Sequence, residues 1–235
     1  MSHQPALAPL DAADLSAVLD EPAHVRVPDM LNPDQCADLA ALFERDALFR
    51  TSVDMARHRF GEGRYRYFAR PLPSLVAALQ QALYARLAPL ANEMMDRLGR
   101  PRRYPSDLAD YAAECAAAGQ AQPTCLLLRY EAGGYNCLHQ DRYGDEIFPL
   151  QATLCLDRPG QDYQGGEFLL VRNRPRQQSV GEAVALAQGE MIVFPSADFP
   201  ARGARGHHRC SMRHGVSRLQ SGRRHALGLI FHDAT

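Results

Sequence analysis

Residues 125–141 read CLLLRYEAGGYNCLHQD, and the rest of the chain is read outward from this stretch. Two apolar runs, 125–131 and 135–141, flank Gly133-Gly134, a pattern that predicts two strands joined by a turn. Side chains alternate along a strand, so His139 and Asp141, two apart, face the same way. One imidazole and one carboxylate can then meet a single metal ion, and a third donor must come from elsewhere. His214 is the candidate, in RHGVS at 213–217, with Arg224 ten residues further on, just past Gly222.

Further strands are predicted at 148–156, 166–171, 183–186, 191–194, 208–214 and 225–231, each bounded by Gly, Pro, Asn or Asp. The region before them is helical. Asn32-Pro33-Asp34-Gln35 reads as a helix start, with Asn at the cap, Pro at the first position and Gln three after the cap. Leu75, Leu79, Leu83, Leu87, Leu90, Met94 and Leu98 recur at helical steps, with a kink or break expected near Ala88 because Pro89 removes a backbone donor. A third helix is predicted over 106–118, closed by Gly119. About eight short strands after a helical region predict an α+β chain: a two-sheet jelly roll with N-terminal helices packed on one sheet. One domain is expected over 29–235, with its helical part at 32–119 and its jelly-roll core at 123–233. Residues 1–28, with Pro5, Pro9, Pro22 and Pro28 and a short helix near 11–19, read as a flexible arm.

Two His and one carboxylate form the facial triad of non-haem Fe(II) oxygenases, which leaves positions open for ligands. Arg224 can hold a carboxylate of a dicarboxylic cosubstrate with a bidentate fork, whereas its neighbour Arg223 points to the other face. At this point the sequence resembles the Fe(II)/2-oxoglutarate dioxygenase superfamily. His139-x-Asp141 and His214-Gly-Val-x-x-Leu-x-x-Gly-x-Arg224 look like its metal and cosubstrate motifs. Arg129-Tyr130, Gly165-Gly166-Glu167-Phe168 and Gly189-Glu190-Met-Ile-Val-Phe194 are similar to the prolyl 4-hydroxylase-like branch. Phe49-Arg50-x-x-Val-Asp-Met-Ala-Arg57, Tyr65-Arg-Tyr-Phe68, Leu138-His-Gln-Asp141, Pro149-Leu-Gln151 and Ile230-Phe-His-Asp233 resemble a prokaryotic oxygenase family linked to oxidative demethylation of damaged nucleic acid. The likeness runs from about residue 31 to the end. It implies a double-stranded β-helix. It also implies Fe(II) on His139, Asp141 and His214, 2-oxoglutarate on Arg224 and Tyr130, and O2 as co-reactant. Hydroxylation of a C–H bond would release succinate and CO2. A hydroxylase of prolyl or other amino-acid residues, or of a small molecule, is the alternative. A metal-binding jelly roll that senses without oxidation is a third reading, opposed by the intact Arg224.

The net charge of −1 hides an asymmetry. Residues 1–54 carry three Arg against ten acids, and the remainder carries 23 Arg against 17 acids, with no Lys anywhere. Arg57, Arg59, Arg64, Arg66 and Arg70 interleave with Phe60, Tyr65, Tyr67 and Phe68, a pattern of forks and plates that suits a phosphate backbone and exposed bases. Arg202, Arg205, Arg209 and Arg213 run into His214. Arg57, Arg64, Arg66, Tyr65, Tyr67 and Arg213 are therefore the candidate substrate-binding residues, with nucleic acid as the candidate partner. Against this stands the common fate of charge runs, a solvated face with local acid partners. Six cysteines without CxxC spacing, no signal-like N-terminus and no membrane-length apolar run make a cytoplasmic location the expectation. Cys137 shares the parity of His139 and reads as a small buried filler or a thiolate ligand.

Overall fold

A computed structural model describes residues 8–204 and 206–235. Its helical half begins with α1 (Ala8–Ala12), and β1 (Val25–Val27) follows a 3-10 turn at Leu15–Leu19. Then come α2 (Pro33–Ala41), β2 (Phe49–Asp54), α3 (Met55–His58), β3 (Gly61–Glu62), β4 (Arg64–Phe68), α4 (Ser74–Arg97) and α5 (Leu108–Ala117). The β half contains β5 (Leu126–Glu131), β6 (Tyr135–His139), β7 (Leu150–Cys155), β8 (Tyr163–Gly165) and β9 (Phe168–Asn173). It ends with β10 (Val180–Val184), β11 (Met191–Pro195), β12 (Asp198–Gly203), β13 (Gly206–Val216) and β14 (Leu219–Leu229).

Local chemistry fixes the start of α2 as the sequence predicts. The Gln35 N–H donates to Asn32 Oδ1 at 2.9 Å, and the Asn32 N–H donates to Gln35 Oε1 at 3.0 Å, a reciprocal capping box with Pro33 behind it. The expected break near Ala88 is absent: α4 runs unbroken through Pro89. Leu83, Tyr84, Leu87, Ala88 and Ala91 are all buried around it. Tertiary packing of a helix face outweighs one missing backbone bond. Tyr84 packs on Phe148 and Phe231, and Gln80 donates to the Ile230 carbonyl, which fastens α4 to the β half.

The strands form two antiparallel sheets. One has the order β1-β11-β7-β14-β5-β4-β2, with β8 also on β14. The other has the order β10-β9-β13-β6-β3, with β12 also on β13. Three expectations need correction. Residues 49–68 supply β2, β3 and β4, extending both sheets beyond the predicted β region. The hairpin partner β12 was also not anticipated; its residues 199–201 are buried although Pro200 lies among them. The described part of the supposed arm is not an arm. Leu10, Leu15, Val18 and Leu19 enter the core, and β1 pairs with β11 while Arg26 forks onto Glu190. Pro22 and Pro28 lie between short segments, and Pro9 sits in the first turn of α1, where a missing N–H costs no helix bond. Residues 1–7 of the expected arm lie outside the described residues.

Candidate metal centre

Antiparallel pairing of β13 with β6 sets His214 directly opposite His139. Strand β6 ends at His139, and Asp141 lies on the loop just beyond. The two imidazole rings are 4.2 Å apart between centroids. Asp141 Oδ1 is 3.5 Å from His139 Nε2, and its Oδ2 is 3.2 Å from His214 Nε2. One donor atom from each residue falls within 4.8 Å of the other two, the one such group among the described residues. His139 Nδ1 lies 2.8 Å from the Cys137 carbonyl, which requires a proton there and leaves Nε2 free as a donor. The register shifts by a bulge between His214 and Val216. A Cβ at Gly215 would stand 2.6 Å from the Asn136 carbonyl, so only glycine lets β13 approach β6 this closely.

The electrostatics are those of a metal-free donor set. Burial pushes the Asp141 carboxyl up, but the two histidines beside it hold it well below the usual carboxylate range. Burial opposes protonation of His139, and Asp141 overrides it, so that imidazole is raised; His214 is lowered by burial and by His139. The Tyr143 hydroxyl donates to Asp141 Oδ1 at 2.6 Å and fixes the carboxylate's orientation. Nothing in the local sequence marked Tyr143, because its contact depends on the path of the loop after β6.

The triad opens onto a cavity of about 400 Å³ between the two sheets. Its floor is one face of β14, along which Arg224, Ala226, Gly228 and Ile230 recur at period two. Arg224 is 2 % exposed, and its Nε and Nη1 have no partner. A buried guanidinium with unpaired donors calls for an anion. Arg224 also borders a smaller hollow of about 230 Å³ beside Tyr163. Its register partner on β5 is Tyr130, a buried phenol raised to about 12 by that burial, whose ring lies 5.8 Å from the guanidinium carbon. Asn136 Nδ2 donates to the Tyr130 hydroxyl at 3.4 Å, another lining residue that the sequence did not single out. Arg223 faces away, its Nε 2.9 Å from Glu131 Oε1.

The candidate substrate residues divide. Tyr65 and Tyr67 line the cavity, 5.4 Å apart edge to face, and Tyr143 meets Tyr67 at 6.1 Å. Arg59 and the exposed Phe60 line the cavity, whereas Arg57 and Arg64 are exposed and do not line it; alternation along β4 puts Arg64 on the face opposite to Tyr65 and Tyr67. Arg66 does not belong with them. Its guanidinium donates to the Phe43 carbonyl and to Asp46 and lies 4.3 Å from the Phe49 ring centroid. Arg213 is also misplaced in that set: strand alternation turns it outward, opposite to buried His214. Arg205 lies outside the described residues. Cys137 is exposed beside the Arg59 carbonyl, not a buried filler, and is not part of the triad.

A model of the family described as "Oxygenase, catalysing oxidative methylation of damaged DNA" matches residues 63–234. The chain belongs to this oxygenase family. Two relatives from Mycobacterium tuberculosis, Rv2227 of strain H37Rv and MT2286 of strain CDC 1551, both called uncharacterized, are 48% identical to it over 167 residues. The match covers 71% of this chain and 72% of each of theirs. Among solved structures, a prolyl-4-hydroxylase of Pseudomonas putida superposes with a TM-score of 0.54 at 20% identity, over 91% of this oxygenase and 96% of that chain. A 2OG-Fe(II) family oxidoreductase of Burkholderia pseudomallei gives 0.55 at 19% identity, over 94% and 92%. At these identities the likeness is one of fold. No helix among the described residues of this oxygenase is long and apolar enough to cross a membrane.

Proposed function

We propose that this oxygenase uses Fe(II), 2-oxoglutarate and O2, with His139, Asp141 and His214 holding the metal and Arg224 and Tyr130 receiving the cosubstrate. The observation that carries this reading is Arg224: a buried, partly unpaired guanidinium on the cavity that the triad faces. The strand orders β11-β7-β14-β5 and β10-β9-β13-β6 support reading the two sheets as a double-stranded β-helix. Bound together, these groups supply oxidation of a C–H bond to C–OH, with the keto acid leaving as succinate and CO2.

The chain's own residues do the positioning. His139, with Nδ1 committed to a carbonyl, offers a fixed Nε2; Tyr143 holds Asp141; Arg224 anchors a carboxylate at the far end of the trough. Apolar Leu126, Leu128 and Ile230 and the small Ala226 and Gly228 keep the intervening floor dry and open.

For the substrate, the reading is an N-methylated base in nucleic acid. It is supported by the family's description, by the tyrosine wall and by the exposed Arg59 on the cavity. Hydroxylation of an N–CH3 group gives N–CH2OH, whose C–N bond breaks to release formaldehyde and the N–H base. The test incubates the iron-loaded protein with 2-oxoglutarate and methylated single-stranded oligonucleotides. Succinate and formaldehyde in equal amounts are expected. Succinate without formaldehyde on every oligonucleotide, with product on a prolyl peptide, would transfer the enzyme to the hydroxylases.

A further inference from the structure

Gln151 is 2 % exposed, lines the cavity, and its Nε2 has no partner. Besides Arg224 and the Nδ1 of His214, it is a further buried nitrogen of a lining residue without a partner. No residue of the triad or of the Arg224 end accounts for it. A buried amide left unpaired is unfavourable in the free protein and is relieved when a bound acceptor arrives.

Register places this donor. Thr153 is opposite Gly228 on β14 and Ala152 opposite Leu229, so antiparallel continuation brings Gln151 beside Ile230. On its other side Gln151 is opposite Phe194, whose ring lies 4.8 Å from that of His214. Gln151 is thus a neighbour of the metal centre. Arg224 stands six residues before Ile230 on the same face, about 20 Å of strand away. A five-carbon dicarboxylate is much shorter than that length of strand. Two residues along the same face of β7, Thr153 is in line through Gly228 and Leu126 with Tyr67, and Tyr143 meets Tyr67 edge to face.

We infer that Gln151 is a specificity-determining residue for the primary substrate, donating a hydrogen bond to an acceptor atom on a planar group received between it and the Tyr67–Tyr143 pair. The substrate class is a flat heterocycle with a ring nitrogen or carbonyl acceptor next to the methyl group that is oxidised. This rests on the proposed reading of the site and sharpens it to one atom of the protein. Reading an extruded base by edge hydrogen bonds and aromatic faces is the general solution for enzymes that act on bases.

The experiment uses the full chain loaded with Mn(II), which permits binding without turnover. Affinities are measured for 2-oxoglutarate and for single-stranded oligonucleotides carrying one N-methylated adenine or cytosine. Gln151→Leu keeps the volume and removes the donor; Gln151→Glu replaces it with an acceptor. The expected result is a Kd for the methylated oligonucleotide raised roughly tenfold in Gln151→Leu and further in Gln151→Glu, with the 2-oxoglutarate Kd within about twofold of the parent. An unchanged oligonucleotide Kd in Gln151→Leu overturns the inference and leaves the substrate reading standing. Weakened 2-oxoglutarate binding in Gln151→Leu, with Mn(II) affinity retained, reassigns the donor to the cosubstrate and also overturns it. A parent protein that binds 2-oxoglutarate but no methylated oligonucleotide overturns the substrate reading, and the inference with it.

Discussion

The trough along β14 and the rim around α3 and β4 are built from the same kinds of residue, arginines among aromatics, yet their arginines have opposite fates. Arg224 is buried with Nε and Nη1 unpaired. Arg66 is nearly as enclosed, but a carbonyl, a carboxylate and two aromatic rings surround its guanidinium. The first leaves Nε and one terminal nitrogen unpaired on a cavity and awaits an anion; the second leaves only Nε unpaired, against aromatic rings, and commits both terminal nitrogens to the fold. A cluster of arginines in a sequence therefore says little until each fork has been matched to its partner.

The sharpest break of this comparison comes at the metal. Asp141→Ala removes the one carboxylate of the triad, and 2-oxoglutarate turnover should fall by more than about 100-fold with the melting temperature retained. Turnover near the parent rate would show that the three donors are not a metal site.

His232 offers a second incomplete buried group. It accepts the Phe148 N–H at Nδ1, leaves Nε2 unpaired, and burial lowers its pKa to about 4. The unfolded chain therefore binds that proton more readily between about pH 4 and 6.5. Stability should climb with pH across that window, by at most about 3 kcal/mol, and be fully present above it. His232→Asn, which keeps an acceptor for Phe148, should flatten this part of the urea-stability profile; an unchanged slope would assign the acid sensitivity elsewhere.

Next in size are the paired arginines of β14. Arg224→Ala should weaken 2-oxoglutarate binding by about 10- to 100-fold, while Arg223→Ala, which loses only an exposed pair with Glu131, should change it less than about twofold. Equal losses in an anaerobic titration would undo the distinction between the two faces of the strand.

The smallest effect separates rim from fold. Arg66→Ala should lower stability by about 1–3 kcal/mol and leave the salt dependence of oligonucleotide binding alone. Arg57→Ala with Arg59→Ala should leave stability nearly alone and reduce the salt slope by about two. A slope that follows Arg66 instead would return that residue to the binding surface.

What the sequence made legible was whatever depends on near neighbours. The two-residue spacing joined His139 to Asp141, although Asp141 sits just past the end of β6, and strand parity separated Arg224 from Arg223. The capping box announced α2. The spacing from His214 to Arg224 survived because both lie on strands that flank one turn. What escaped depends on contacts between distant segments. Tyr143 reaches Asp141 only through its loop, Gln151 becomes conspicuous only when no partner is found for it, and Arg66 finds Phe43 and Asp46 through the fold. Pro89 was overruled in the same way, by the packing of α4.

The short strand β1 has a use beyond its three residues. It lies at the outer end of its sheet, along β11, whose five residues Met191–Pro195 are all buried. Without it, β11 would become a flat apolar edge with unpaired backbone groups, a template for another copy of the same chain. Residues 25–27 lie before the stretch that the family model matches, yet they cover the edge that would otherwise invite another strand. A chain trimmed to start at residue 29 would lose β1 and bare the backbone of β11.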